Sequence, residues 1–175
     1  MMTHALRLRA NPAAAVAAVV AGSLALWISA RVQIPFWPVP MTMQTFVVVA
    51  LGTLLGPRLG VAAVALYLAE GAAGLPVFAG TPERGLGLAY MAGPTGGFLA
   101  GFVIACAIAG LARGRRLVAT GGMMLAAHLA VFVPGIAWLA GFIGWEQAVA
   151  MGAVPFVAAT ALKWALNLAL ARTVR

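Results

Sequence analysis

Apolar residues in this chain come in long blocks without a polar face, at about positions 13–30, 41–56, 59–75, 94–112, 121–142 and 147–171. A surface helix of a soluble domain would carry a polar stripe at helical spacing, and a lipid-facing barrel strand would alternate at every second residue. Neither pattern occurs. About 20 helical residues span roughly 30 Å of hydrocarbon, and a helix satisfies its own backbone hydrogen bonds there. The blocks therefore predict an all-α integral membrane protein, a single domain over 1–175 made of a bundle of six transmembrane helices. Arg7 and Arg9 ahead of the first block give it the look of a signal peptide, but further spans follow and favour a retained helix. Gly56-Pro57-Arg58 marks a sharp stop between the second and third blocks.

Composition sharpens this reading. Hydrophobic residues make up 64% of the chain and charged residues only 8%, a balance that keeps a protein in lipid rather than water. The formal charge of +8 would point to nucleic acid in a soluble protein, so the placement of the basic residues decides its meaning. They form no patch. Arg7, Arg9, Arg58, Arg113, Arg115, Arg116, Arg172 and Arg175 fall on one side of the predicted membrane, and only Arg31 and Arg84 on the other. The basic side is cytoplasmic by the positive-inside rule, which puts both termini inside and makes this a multi-pass protein of the cytoplasmic (inner) membrane with no nucleic-acid partner. The Pro-rich loop at 31–40 and the long Gly/Pro-rich connection before residue 94 then face outward together. Trp27, Trp37, Trp138 and Trp145 fall near that outer interface, as an aromatic belt would.

Few residues are left to carry chemistry. Lys163 is the only lysine and falls near the middle of the sixth block, where a cation costs several kcal/mol unless it meets a partner or a polar cavity. Thr160 and Asn167 share its helical face, and Pro155 would kink the span or free a carbonyl. A structural ion pair or snorkelling is the bland alternative for Lys163. His128 and Glu70 rank lower, the first as a hydrogen-bonded packing residue and the second as a partly hydrated one, although either could line a cavity or pair with Lys163. Thr42, Gln44 and Thr45 could bind a ligand or cap a helix. Cys106 is alone, and no metal spacing, nucleophile grouping or phosphate-cradling loop occurs, so any ATP hydrolysis belongs to a partner. Small residues recur every four positions at Ala17, Ala21 and Ala25 and at Gly97, Gly101, Ala105 and Ala109. Such ridges suit close helix contact inside the bundle or docking of another membrane subunit.

Four strings now combine: PVPMTMQT at 38–45, GLPVFAG at 74–80, GPTGGFLAGF at 93–102 and PFVAATALK at 155–163. Together they resemble the BioY family, the biotin-binding substrate-capture (S) component of energy-coupling factor transporters. The resemblance implies a six-helix subunit, not an enzyme and without a cofactor, that binds biotin as its transported ligand in a pocket opening outward. It implies partners too, a transmembrane coupling subunit and cytoplasmic ATPases, with Ala17, Ala21 and Ala25 resembling the docking ridge. One departure stands out. The family usually has an acid three positions before the lysine, preceded by glycine, where this chain has Thr160 and Ala159.

Biotin offers a carboxylate, a ureido ring and an apolar thiophane with a valeryl chain. Lys163 suits the carboxylate or the ureido oxygen, Gln44 and Thr160 the ureido groups, and Tyr67, Phe78 and Tyr90 the apolar walls, with Arg84 an alternative carboxylate partner and Asn167 on the lysine's face. Three rival readings remain at this stage. They are the same scaffold for another water-soluble vitamin, a small membrane enzyme using Lys163, His128 and Glu70, and a purely structural partner. The ridges suit a protein acting alone, as a homo-oligomer or with an ATPase module.

Overall fold

The computed structural model describes residues 11–34 and 37–174. Arg7, Arg9 and Arg175 of the charge count, and Pro35 and Phe36 of the first loop, lie outside the described residues. Helix α1 (Pro12–Arg31) starts where Asn11 accepts hydrogen bonds from the N–H groups of Ala13 and Ala14 at 3.0 and 3.3 Å, and Pro12 in the first turn has no N–H to leave unpaired. A two-residue ribbon follows, β1 (Gln33–Ile34) antiparallel to β2 (Met41–Thr42), with Gln33 opposite Thr42. The apolar blocks gave no hint of this ribbon.

Helix α2 (Gln44–Ala72) contains both the second and the third block. Its two arms meet at Gly56, whose φ of +82° is non-helical and sits immediately before Pro57. Proline pushes its predecessor out of the α region, and glycine accepts the left-handed φ without a Cβ clash. The carbonyl of Leu55 at this break accepts a hydrogen bond from Arg113 Nη1 at 3.1 Å. Beyond the connection lie α3 (Gly87–Ala92), α4 (Gly96–Leu111), α5 (Leu117–Ala130), α6 (Phe132–Ile143), α7 (Trp145–Gly152) and α8 (Phe156–Thr173). The fifth block is thus interrupted at Val131, where Pro134 cannot donate to the carbonyl of Ala130. The sixth block is α7 and α8, bent by 46° across a short break ending at Pro155.

Three stretches, Pro12–Arg31, Gln44–Ala72 and Leu117–Ile143, are long and apolar enough to cross a membrane, and the bent α7–α8 pair makes a fourth if taken as one span. Gly96–Leu111 is apolar but shorter. The protein is therefore a helical, multi-pass membrane protein.

Helix α4 lies between α2 on one side and α5 and α6 on the other. Glycine makes this closeness physical. A Cβ on Gly52 would come within 2.4 Å of the Cys106 carbonyl oxygen, and one on Gly97 within 2.3 Å of the Pro134 carbonyl oxygen. The ridge of Gly97, Gly101, Ala105 and Ala109 is buried inside the bundle. On α1 the opposite arrangement holds, for Ala17 and Ala21 are exposed and Ala25 is half-buried.

Candidate functional site

Helix α8 turns Thr160 and Lys163 toward a cavity enclosed by α2, α4, α5, α6 and the first loop. Its lining includes Val39, Pro40, Thr42, Gln44, Ala79, Phe98, Phe102, His128, Phe132, Thr160 and Lys163, and the space between them amounts to about 560 Å³ with its open mouth included. Four phenylalanines form part of the wall. Phe132 from α6 meets Phe98 of α4 edge-on at 6.4 Å and Phe156 of α8 at 6.3 Å between ring centroids.

The Lys163 side chain is only 6% exposed, and its ammonium, which makes no hydrogen bond or ion pair among the described residues, is not one of the fully buried unsatisfied atoms and so keeps some accessible surface. A cation on a largely buried stem with no internal partner is costly, so a site that keeps one is organised to receive an acceptor. Neither alternative partner is in place. Glu70 accepts a hydrogen bond from Ser23 Oγ at 2.5 Å, tying α2 to α1. His128 Nδ1 donates to the Met124 carbonyl oxygen at 2.8 Å, one turn back on α5. Lys163 also borders a second cavity between α8 and the ribbon, beside Gln33, Met41 and Ala159.

Gln44 lines the cavity but is already engaged. Its Nε2 donates to the Tyr67 hydroxyl at 2.6 Å, and its Oε1 accepts from Thr42 Oγ1 at 3.1 Å. Tyr67 in turn donates to the Val77 carbonyl at 3.0 Å. Tyr67, Phe78 and Tyr90, expected as walls, stand behind the cavity and seat the segment that roofs it. Phe78 stacks on Tyr90 at 4.8 Å and meets Tyr67 edge-on at 5.5 Å, and Tyr90 donates to the carbonyl of Ala79, itself a lining residue, at 2.9 Å. Burial pushes the Tyr90 phenol up, against the opposing influence of Thr95 and Arg84, so it acts as a neutral donor.

Two arginines tie the roof down from outside. Arg31 at the end of α1 donates to the carbonyls of Thr81 and Pro76, and Arg84 donates to the Pro38 carbonyl at 3.0 Å, joining the roof to the first loop. Asn167 is fully buried one turn beyond Lys163, does not line the cavity, and has no side-chain hydrogen bond among the described residues. The structure thus brings Lys163, Thr160 and Gln44 to the cavity, sets Tyr67, Phe78, Tyr90 and Arg84 against or within the segment that roofs it, and leaves Asn167 out of its lining. Sequence reasoning missed the phenylalanine wall, whose signal was the helical spacing of Phe98 and Phe102, while His128, expected as a hydrogen-bonded packing residue that could line a cavity, is hydrogen-bonded to Met124 and in the lining.

Fold and cavity together define a multi-pass helical membrane protein built around a roofed cavity lined by Lys163, His128 and four phenylalanines. A probable biotin transporter BioY of Pyrococcus horikoshii is 41% identical over 130 residues, 74% of this chain and 76% of that one. The biotin transporter BioY of Rhizobium etli is 34% identical over 164 residues, 86% of each chain. A solved structure, the S-component for biotin from an ECF-type ABC transporter, superposes with a TM-score of 0.80 at 22% identity, covering 92% of this chain and 90% of that one. The chain belongs to the BioY family, whose sequence model matches residues 2–175.

Proposed function

We propose that this protein captures biotin at the outer face of the cytoplasmic membrane and is the substrate-specific subunit of an energy-coupling factor transporter. The observation that carries this reading is Lys163, a cation on a side chain only 6% exposed and with no partner among the described residues, at a cavity walled in part by four phenylalanines. Biotin matches such a site in polarity. Its ureido oxygen or its carboxylate can accept from Lys163, its thiophane and valeryl chain suit the phenylalanines, and Thr160 and Gln44 border the polar end. Arg84 and the roof it ties down would close over the vitamin.

In this reading the six apolar blocks form six spans with both termini inside, the second and third meeting at Gly56. The bundle binds and transports rather than catalyses, because Glu70, engaged with Ser23 on α1, does not join Lys163 and His128 at the cavity. Release inward would depend on a transmembrane coupling subunit and cytoplasmic ATPases, reached through the exposed ridge at Ala17 and Ala21. Calorimetry on the detergent-purified chain tests the assignment. Tight, saturable binding of biotin with no competition from thiamine or riboflavin is expected, and equal competition by either would transfer the scaffold to another vitamin.

A further inference from the structure

The His128 imidazole is 1% exposed, lines the cavity, and leaves Nε2 without a hydrogen-bond partner among the described residues. Its other nitrogen is committed, since Nδ1 lies 2.8 Å from the carbonyl oxygen of Met124. A carbonyl only accepts, so Nδ1 must carry the proton and the neutral ring presents a bare lone pair at Nε2. The alternative, an imidazolium, would add a second cation to an apolar cavity that already holds Lys163, with no carboxylate among the lining residues to offset it.

A buried lone pair of this kind is costly unless a donor reaches it. From these facts, and resting on the biotin reading above, we infer that His128 Nε2 accepts a hydrogen bond from a ureido N–H of biotin and is a specificity-determining residue of the site. Biotin's ionised carboxylate offers acceptors only, and its thiophane and valeryl chain offer no polar hydrogen. The two ureido N–H groups are therefore the donors that can use this lone pair. The ureido ring then lies between α5 and α8, with its N–H toward His128 and its oxygen within the reach of the Lys163 ammonium, and the carboxylate points away from both. The arrangement also supplies a second acceptor beside the Thr160 hydroxyl, which lacks the charge of a carboxylate.

The test pairs protein variants with ligand variants. Biotin and the two cyclic carbamates in which oxygen replaces one ureido N–H are titrated calorimetrically into wild type, His128→Leu and His128→Gln. A site built around a donor rejects the isostere that lacks it. Wild type is expected to bind one carbamate at least tenfold more weakly than biotin. His128→Leu is expected to lose about ten- to hundredfold for biotin and to bind that carbamate and biotin alike. In His128→Gln the amide oxygen stands near the place of Nε2, and discrimination returns. Retention of full discrimination in His128→Leu, or an equal loss for biotin and both carbamates, would assign His128 to packing and overturn the inference. Absence of biotin binding by folded wild type would instead sink the biotin reading itself, so the two failures are distinguishable.

Discussion

Lys163 carries opposite consequences for stability and for binding, and this separates a ligand site from a structural ion pair. Its side chain is buried with 6% exposure and no partner among the described residues, so the folded protein bears a desolvation cost that nothing internal offsets. Lys163→Met removes the charge and keeps the length of the apolar stem. The expected result is a melting temperature unchanged or higher, together with a loss of biotin affinity of roughly 2–5 kcal/mol, the range for truncating one side of a buried charged contact. Thermal unfolding in detergent and calorimetry on the same preparation measure the two effects. A lower melting temperature with unaltered biotin affinity would make Lys163 a structural residue. Depth in an apolar block was enough to single out this lysine from sequence. His128 looked like a packing residue because nothing in a one-dimensional pattern tells which ring nitrogen finds the i−4 carbonyl and which is left without a partner.

At the scale of elements, the roof depends on one glycine. The ring of Phe78 lies against Gly71 so closely that an added Cβ would sit 2.0 Å from Phe78 Cζ. Phe78 belongs to the aromatic stack beside Ala79, which lines the cavity. Gly71→Ala must displace that ring, costing about 1–3 kcal/mol as overpacking does. Faster biotin dissociation in a stopped-flow chase is expected, with the helical circular dichroism of the bundle intact; an unchanged off-rate would show that the stack does not hold the roof shut. Sequence pattern foretold the helices here, and it placed the break at Gly56-Pro57 because those residues cannot continue a regular helix. It gave neither the interruption at Val131, which arises three residues ahead of Pro134, nor the ribbon, whose pairing joins residues on either side of a proline-rich loop. The roles of Tyr67 and Gln44 were equally hidden. Both were read as ligand contacts, yet they bond each other at 2.6 Å across 23 positions of α2, where only the packed roof decides what a polar side chain meets.

The whole molecule has two kinds of small-residue surface, and only one is used internally. On α1, Gly22 faces α2, where a Cβ would come 2.7 Å from Ala63 Cβ, while Ser23 and Leu26 are buried beside it. Ala17 and Ala21 lie on the other side of the same helix, exposed, in a shallow apolar groove bordered by Val16, Val20 and Leu24. Internal packing therefore does not explain why they are small. In lipid, apolar surface alone gives little drive for association, and close approach of backbones along a small-residue ridge is what allows a second helix to dock. The proposed coupling subunit would seat there. Ala21→Trp fills the groove without touching the cavity or the α1–α2 contact, so biotin affinity and melting temperature of the purified chain should stay at wild-type values. In cells that also supply a coupling subunit and ATPases, the same substitution should abolish accumulation of labelled biotin and the co-purification of those subunits. If uptake persists with the groove filled, the ridge faces lipid and the power stroke reaches this protein through another surface.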